Sequence, residues 1–283
     1  LCAGLLGDRD FQVERAVVPA GEASKSLECT KTLFDHALAG HLDRSSVIVA
    51  LGGGVVGDLA GFAAGTYLRG VKLLQVPTSL LAMVDSSVGG KTGVNLPQGK
   101  NLVGVFYQPI EVAIDLRTLR TLPEREYLSG MAEVVKYGVI WDAALFRSLE
   151  ENVQALRDRD PDVLESTVAR CCEIKAEVVA MDERESGVRA ILNYGHTLGH
   201  AIENVSGYGR LLHGEAVAIG MAYAGELSCR CQGFKRDECD RVNRLLEALG
   251  LPCGRGVLED SVTWEALRDA MAADKKARRA VPT

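Results

Sequence analysis

Three of the five histidines in this chain fall between His196 and His213. His196 and His200 are four residues apart, the spacing that sets two side chains on one helix face. His213 follows the turn-like Gly207-Tyr208-Gly209 and heads a long apolar run, Ala216 to Ala224. The pattern reads as helix, turn, helix. Imidazoles presented by such a hairpin, joined by one carboxylate, make a three-ligand zinc site that leaves a position open for substrate. Glu133, in the helix-like segment from Tyr127 to Gly138, is the carboxylate nominated. The competing reading is a pair of packed core or surface histidines, because HxxxH here lacks the glutamate that serves metalloproteases as base. The glycines, Asn193 and Arg189 around the histidines weigh toward chemistry, since a purely structural helix pair has little use for them.

The rest of the chain must position that cluster. Its 283 residues suit two ordinary domains. With 47% hydrophobic and 25% charged residues the composition is that of a globular protein with a sizeable core. A net charge of −6, with no basic stripe interleaved by aromatics, excludes a nucleic-acid partner. The basic run from Lys275 to Arg279 reads as a solvated face. Eight irregularly spaced cysteines do not form a disulfide framework and fit a reducing cytoplasm. Cys229, Cys231, Cys239 and Cys253 lack paired CxxC spacing and read as ordinary thiols rather than a second metal site. The longest apolar run, near Val47, is too short to span a bilayer, so no membrane partner is expected. The chain opens on Leu1 rather than methionine, and a truncated N-terminus is expected.

Along the chain, a short strand is expected over Val13–Pro19, then a turn holding Glu22 and Lys25, then a helix from Ser26 to Ala39. Ser46–Leu51 reads as a strand buried on both faces. It leads through Gly52-Gly53-Gly54-Val55-Val56-Gly57-Asp58 into a helix over Leu59–Thr66. Glycines between strand and helix let backbone N–H groups approach a phosphate, although neither GxGxxG nor a GK[ST] ending is present. Nucleotide binding and a tight structural turn both remain open there. A strand over Val71–Val76 is followed by glycine-rich loops carrying Lys91, Lys100 and Asn101, suited to anionic oxygens. After a strand over Val112–Leu116 every periodic segment is helical, with helices expected over Tyr127–Trp141, Ala143–Gln154, Asp162–Met181, Ala190–Val205, Glu215–Cys231, Asp237–Leu249 and Trp264–Asp274. An α/β domain over residues 1–116 is thus expected before an all-α domain over residues 117–283.

GGGVVGD, VDSSVGGKTGVN, GKNLVG, GMAEVVKYG, RAILNYGHTLGHAIE and LHGEAVAIGM, taken in order, resemble the 3-dehydroquinate synthase family. The resemblance covers about Gly21 to Lys276. It implies a Rossmann-like NAD-binding domain followed by a helical metal-binding domain. It also implies conversion of 3-deoxy-D-arabino-heptulosonate 7-phosphate to 3-dehydroquinate and phosphate, as in the shikimate pathway. The implied metal ligands, for zinc or cobalt, are Glu133, His196 and His213. His200 then becomes an acid/base group with Glu185. The implied NAD contacts are Glu22, Lys25, Gly54, Val55, Val56, Gly57, Asp58, Thr78, Ser79, Lys100, Thr118, Leu119, Arg120 and Thr121. The implied substrate contacts are Arg69, Asp85, Lys91, Asn101, Lys136, Lys175, Arg189, Asn193 and Lys275, of which Lys91, Lys136, Arg189 and Asn193 also serve catalysis. The partner is a small sugar phosphate, and a homodimer is the expected assembly, being the commonest among soluble proteins. Alternatives are a 2-deoxy-scyllo-inosose synthase-like cyclase, which would not need Arg189 and Lys275 for a substrate carboxylate, a polyol dehydrogenase, and a non-catalytic NAD- or metal-sensing protein on the same fold.

Overall fold

The computed structural model describes residues 11–185, 187–207, 209–254, 256, 258 and 262–273. They divide into two compact units: the chain up to Thr78 with Ser86–Asp115, and Ser79–Asp85 with the chain from Leu116 onward.

In the first unit, α1 (Leu27–Ala39) begins at Ser26, whose hydroxyl accepts from the Cys29 amide as an N-cap. β1 (Val47–Gly52) runs parallel to β2 (Lys72–Pro77), which pairs in turn with the two-residue β5 (Glu111–Val112). Between β1 and β2 lies α2 (Gly54–Thr66), nearly all small or apolar, as a helix covered on several sides must be. Its residues Leu59 and Phe62 pack with Val94, while Ala60 and Ala64 pack with Ala37, Ala50 and Leu73. β1 is an edge strand in the order β1-β2-β5.

Several expectations are corrected here. The stretch Val13–Pro19 is not a strand; Val13 and Val17 are exposed, and only Val18 joins the core. β1 is not buried on both faces: Val47, Val49 and Leu51 are 41%, 43% and 50% exposed. Its apolar run marks a strand whose second face is bare among the described residues. The glycine-rich stretch is not loop but an antiparallel hairpin, β3 (Lys91–Leu96) and β4 (Gly99–Phe106). Gly93 and Gly104 oppose each other in it, and a Cβ on either would meet backbone oxygen at 2.6 or 2.3 Å. These glycines serve close backbone approach, a role that reads as loop in sequence. The strand expected over Val112–Leu116 shrinks to β5 and gives way to a 3-10 turn, Leu116–Thr121.

The second unit is helical among its described residues: α3 (Glu124–Ile140), α4 (Ala143–Glu151), α5 (Val153–Arg157), α6 (Pro161–Met181), α7 (His196–Ser206), α8 (His213–Cys231), α9 (Arg236–Ala248) and α10 (Trp264–Ala273). The helix expected from Ala190 to Val205 is split, because residues Val188–Asn193 form a 3-10 turn and Gly195 takes a left-handed φ of 77° before α7. The helix expected over Ala143–Gln154 also breaks, at Asn152. No described helix is long and apolar enough to cross a membrane.

Candidate metal and cofactor sites

The hairpin α7–α8 closes on glycine. A Cβ on Gly220 would lie 1.9 Å from the Gly195 carbonyl oxygen, and one on Gly214 would lie 1.8 Å from that of Ser129 on α3. Backbone contact this close sets α7, α8 and α3 side by side, so His196, His213 and Glu133 converge from three helices. One ligand atom from each of the three lies within 4.8 Å of the others. Glu133 Oε1 is 3.4 Å from His196 Nε2 and 3.7 Å from His213 Nε2.

Each imidazole is turned by a bond to its other nitrogen. His196 Nδ1 is 3.0 Å from the Tyr194 carbonyl, and His213 Nδ1 is 3.0 Å from Glu203 Oε2. Both partners are acceptors, so both Nδ1 atoms carry the proton and both Nε2 lone pairs face Glu133. The carboxylate is fully buried and its Oε2 accepts from Lys136, whereas its Oε1 makes no hydrogen bond. A buried carboxylate oxygen without a partner is costly in a folded protein. Two imidazole lone pairs converging on it are the donor set that a divalent ion completes, so these residues fit the implied metal.

The surrounding charges are arranged unequally. Burial, then Lys136 and the other two histidines, hold the His196 imidazole well below its ordinary pKa. Burial pulls His213 the same way, but the hydrogen bond and charge of Glu203, with Glu133 and Asp85, outweigh it and leave His213 raised. Packing pushes Asp85 up, yet Lys175 and then Lys136 hold its carboxyl far below the usual range. Lys175 Nζ donates to Asp85 Oδ1 at 2.7 Å, and the Tyr137 hydroxyl lies 3.3 Å from the same oxygen while donating to the Val84 carbonyl at 2.9 Å. Burial is the main cause that raises the Tyr137 phenol well above its ordinary value.

The structure brings most of the helical candidates into pairs. Asn193 donates to Glu185 Oε1 at 2.6 Å, and Glu185 is held at a φ of 57°. Arg189 is buried and donates to the Glu183 carbonyl. The His200 ring stands 5.4 Å from that of His196, edge-on, and 5.9 Å from that of His213. A second trio within 4.8 Å joins His200, Glu203 and His213, so His196 and His200 share neither metal-sized group despite their spacing. Ser79 and the turn Thr118–Thr121 also belong to this unit, with Leu119 buried and Arg120 and Thr121 exposed. Lys275 lies outside the described residues.

In the first unit, Lys25 forms an ion pair with Asp58 of α2. Asn95 ties three candidates together: its Nδ2 donates to Glu22 Oε1 at 2.7 Å, its amide to the Lys25 carbonyl at 2.8 Å, and its Oδ1 accepts from the Asn101 amide at 2.9 Å. The first turn of α2, with Gly54, Val55 and Val56, has neither a side-chain cap nor an acidic residue. Gly52 turns so tightly into it that a Cβ would meet Val56 at 2.7 Å. A glycine turn feeding open N–H groups at a positive helix end suits a phosphate, so the implied dinucleotide also fits. Gly57 is buried beneath β2, where its carbonyl accepts from Gln75 at 3.2 Å. Thr78 donates its amide to Gly52 at 2.9 Å. Arg69 is exposed at a φ of 65°. Lys91 and Lys100 sit on the paired strands β3 and β4, and Asn101 takes a φ of 54°.

Residues 15–129 match the family described as 3-dehydroquinate synthase N-terminal, and residues 130–277 the one described as 3-dehydroquinate synthase C-terminal. A 3-dehydroquinate synthase of Geobacter metallireducens is 55% identical over 276 residues, covering 98% of this chain and 76% of that protein. The chain belongs to the 3-dehydroquinate synthase family. Another relative so named, from Desulforamulus reducens, is 54% identical, with 96% of this chain and 75% of that protein covered. Among solved structures, 2-epi-5-epi-valiolone synthase from Streptomyces hygroscopicus, with NAD+ and Zn2+ bound, superposes with a TM-score of 0.88 at 31% identity, covering 95% of this chain and 74% of that one. A 2-deoxy-scyllo-inosose synthase complexed with carbaglucose-6-phosphate, NAD+ and Co2+ gives 0.81 at 35% identity, covering 91% of this chain and 69% of that one. In this member of the 3-dehydroquinate synthase family, three residues at the sites escaped sequence reasoning. Glu203 could have been found, since it follows His200 by three on the same helix face. Asn95 and Tyr137 carry no local signal, because Glu22 and Lys25 for the first, and Val84 and Asp85 for the second, are distant in sequence.

Proposed function

We propose that this protein is a 3-dehydroquinate synthase, converting 3-deoxy-D-arabino-heptulosonate 7-phosphate to 3-dehydroquinate and phosphate. The observation that carries the reading is the convergence of Glu133, His196 and His213 on one buried, unpartnered carboxylate oxygen, in a chain matching the family from residue 15 to 277. Glu133, His196 and His213 would hold zinc or cobalt, and Glu22, Lys25, Gly54, Val55, Val56, Gly57, Asp58, Thr78, Ser79, Lys100 and Thr118–Thr121 would hold NAD. When bound, the ion supplies Lewis acidity at a substrate hydroxyl and NAD supplies a transient oxidation that is reversed before product leaves.

The chain's own residues do the rest. Lys136, buried against Glu133, and Lys175, paired to Asp85, supply positive charge for the substrate's carboxylate and phosphate in an otherwise acidic protein. Arg189 presents a guanidinium suited to bidentate carboxylate recognition. Arg69, Lys91, Asn101 and Lys275 are further substrate candidates that the family resemblance implies. Asn193 donates to Glu185 at 2.6 Å and would orient it, and Glu185 and His200 would accept and return protons. We infer a homodimer and a cytoplasmic setting; the first rests on the prevalence of two-fold assemblies and the second on seven described cysteines that are all free thiols.

Product analysis separates this reading from its neighbours. The heptulosonate phosphate with NAD+ well below stoichiometric amounts is expected to yield 3-dehydroquinate without net NADH. Turnover of glucose 6-phosphate instead would indicate an inosose-type cyclase, and steady NADH accumulation a polyol dehydrogenase.

A further inference from the structure

The two imidazoles that face Glu133 are secured differently. His196 is buried, and a backbone carbonyl, that of Tyr194, takes its Nδ1 proton. His213 opens α8 with its side chain 28% exposed, against 9% for His196. What holds it is Glu203, whose Oε2 is 3.0 Å from His213 Nδ1 and which is itself only 7% exposed. An ionised carboxylate only accepts, so this contact fixes the proton on Nδ1 and leaves the Nε2 lone pair aimed at Glu133.

The geometry points to Glu203 as a positioning residue: it sets the tautomer and orientation of His213 and thereby the affinity of the chain for a divalent ion. This rests on the metal-site reading above. A carboxylate behind a ligating imidazole also makes that imidazole a stronger donor, and removing such a partner typically weakens metal binding about 10–100-fold. The geometry allows one rival role, because His200, Glu203 and His213 also lie within ligand distance of one another. There Glu203 would be a ligand of a second ion rather than a support for the first.

Titration of the metal-stripped full chain with Co2+, followed by visible absorption, decides the matter for the wild type, Glu203→Gln and Glu203→Ala. The amide of Glu203→Gln keeps an acceptor without the charge and nearly the same volume, so it guards against a folding defect; its metal-free thermal midpoint is measured alongside. Expected are one tight equivalent in the wild type, a dissociation constant about 10–100-fold weaker in Glu203→Ala, and an intermediate value in Glu203→Gln with the metal-free midpoint unchanged. A purely structural role would lower the midpoint and spare the affinity. Affinity of Glu203→Ala within twofold of the wild type overturns the inference and leaves the metal reading standing. A second wild-type equivalent that Glu203→Gln loses makes Glu203 a ligand and overturns it as well. Wild-type protein that takes up no Co2+ overturns both.

Discussion

Replacing Lys136 by methionine keeps most of the length of the side chain and deletes its charge. In the protein as described, Lys136 and Glu133 are 1% and 0% exposed and form one ion pair, and Glu133 Oε1 has no hydrogen bond to fall back on. Breaking a buried pair by removing one partner leaves an uncompensated charge and typically costs ~3–5 kcal/mol. Removing a partner from a solvent-screened pair such as Arg241 and Glu150, 40% and 30% exposed, costs far less. Metal-free Lys136→Met is therefore expected to lose about 3 kcal/mol or more, and Arg241→Met to lose clearly less. A divalent ion at Glu133 supplies the missing counter-charge. The loss in zinc-saturated protein should be smaller by at least ~1.4 kcal/mol, and by linkage the variant should bind zinc at least ~10-fold more tightly than the wild type. Urea unfolding followed by helical circular dichroism, with and without zinc, reads both quantities. Equal losses with and without zinc, or a metal-free loss under ~1 kcal/mol, would refute the argument that Glu133 sits buried between a lysine and an ion.

Gly220→Ala places a Cβ 1.9 Å from the Gly195 carbonyl, so α7 and α8 must separate. A stability loss of about 1–3 kcal/mol or more is expected, together with weaker Co2+ binding, and unchanged affinity would contradict the glycine contact's role in assembling the histidines. Asp142 caps α4 by accepting from the amides of Ala144 and Leu145 at 2.8 and 3.0 Å and pairs with Arg170. Those amide bonds, first that from Leu145, with Arg170 beside them, hold its pKa below the ordinary value. Asp142→Ala should cost ~1 kcal/mol at neutral pH. Because the folded-state pKa is the lower one, that contribution is full above the unfolded value near 4 and fades as pH falls through the folded one. The gap between wild type and variant should therefore close only in acid, which urea midpoints at several pH values will show. Lys25→Met removes the partner of Asp58 beside the open first turn of α2; NAD+ affinity measured calorimetrically should fall while Co2+ affinity holds, and a fall in both would deny that the two sites are built separately.

How much of this could be read from residues alone varied with the range of the signal. The long helices declare themselves by period, and α3, α6 and α8 begin within three residues of where the pattern places them. Glu133, His196 and His213 were legible because their residue types are rare in apolar helices. The pairing of His196 with His213 across a hairpin was not legible from spacing, since HxxxH draws the eye to His200. Glycine misled twice in opposite directions. Around Gly93 and Gly104 it signified two backbones in contact and was read as loop, whereas Gly195 broke a helix that period alone carried straight through. The exposed face of β1 was invisible because Val47, Val49 and Leu51 are as apolar as the residues between them.

The most direct test of the central claim is phosphate release from 3-deoxy-D-arabino-heptulosonate 7-phosphate with trace NAD+, before and after a chelator, with Glu133→Ala alongside. Release that disappears with the chelator, returns with zinc or cobalt, and is absent in the variant is the expected result. Undiminished release from the chelated protein or from Glu133→Ala, or none from wild-type protein shown to bind both metal and NAD+, would contradict it.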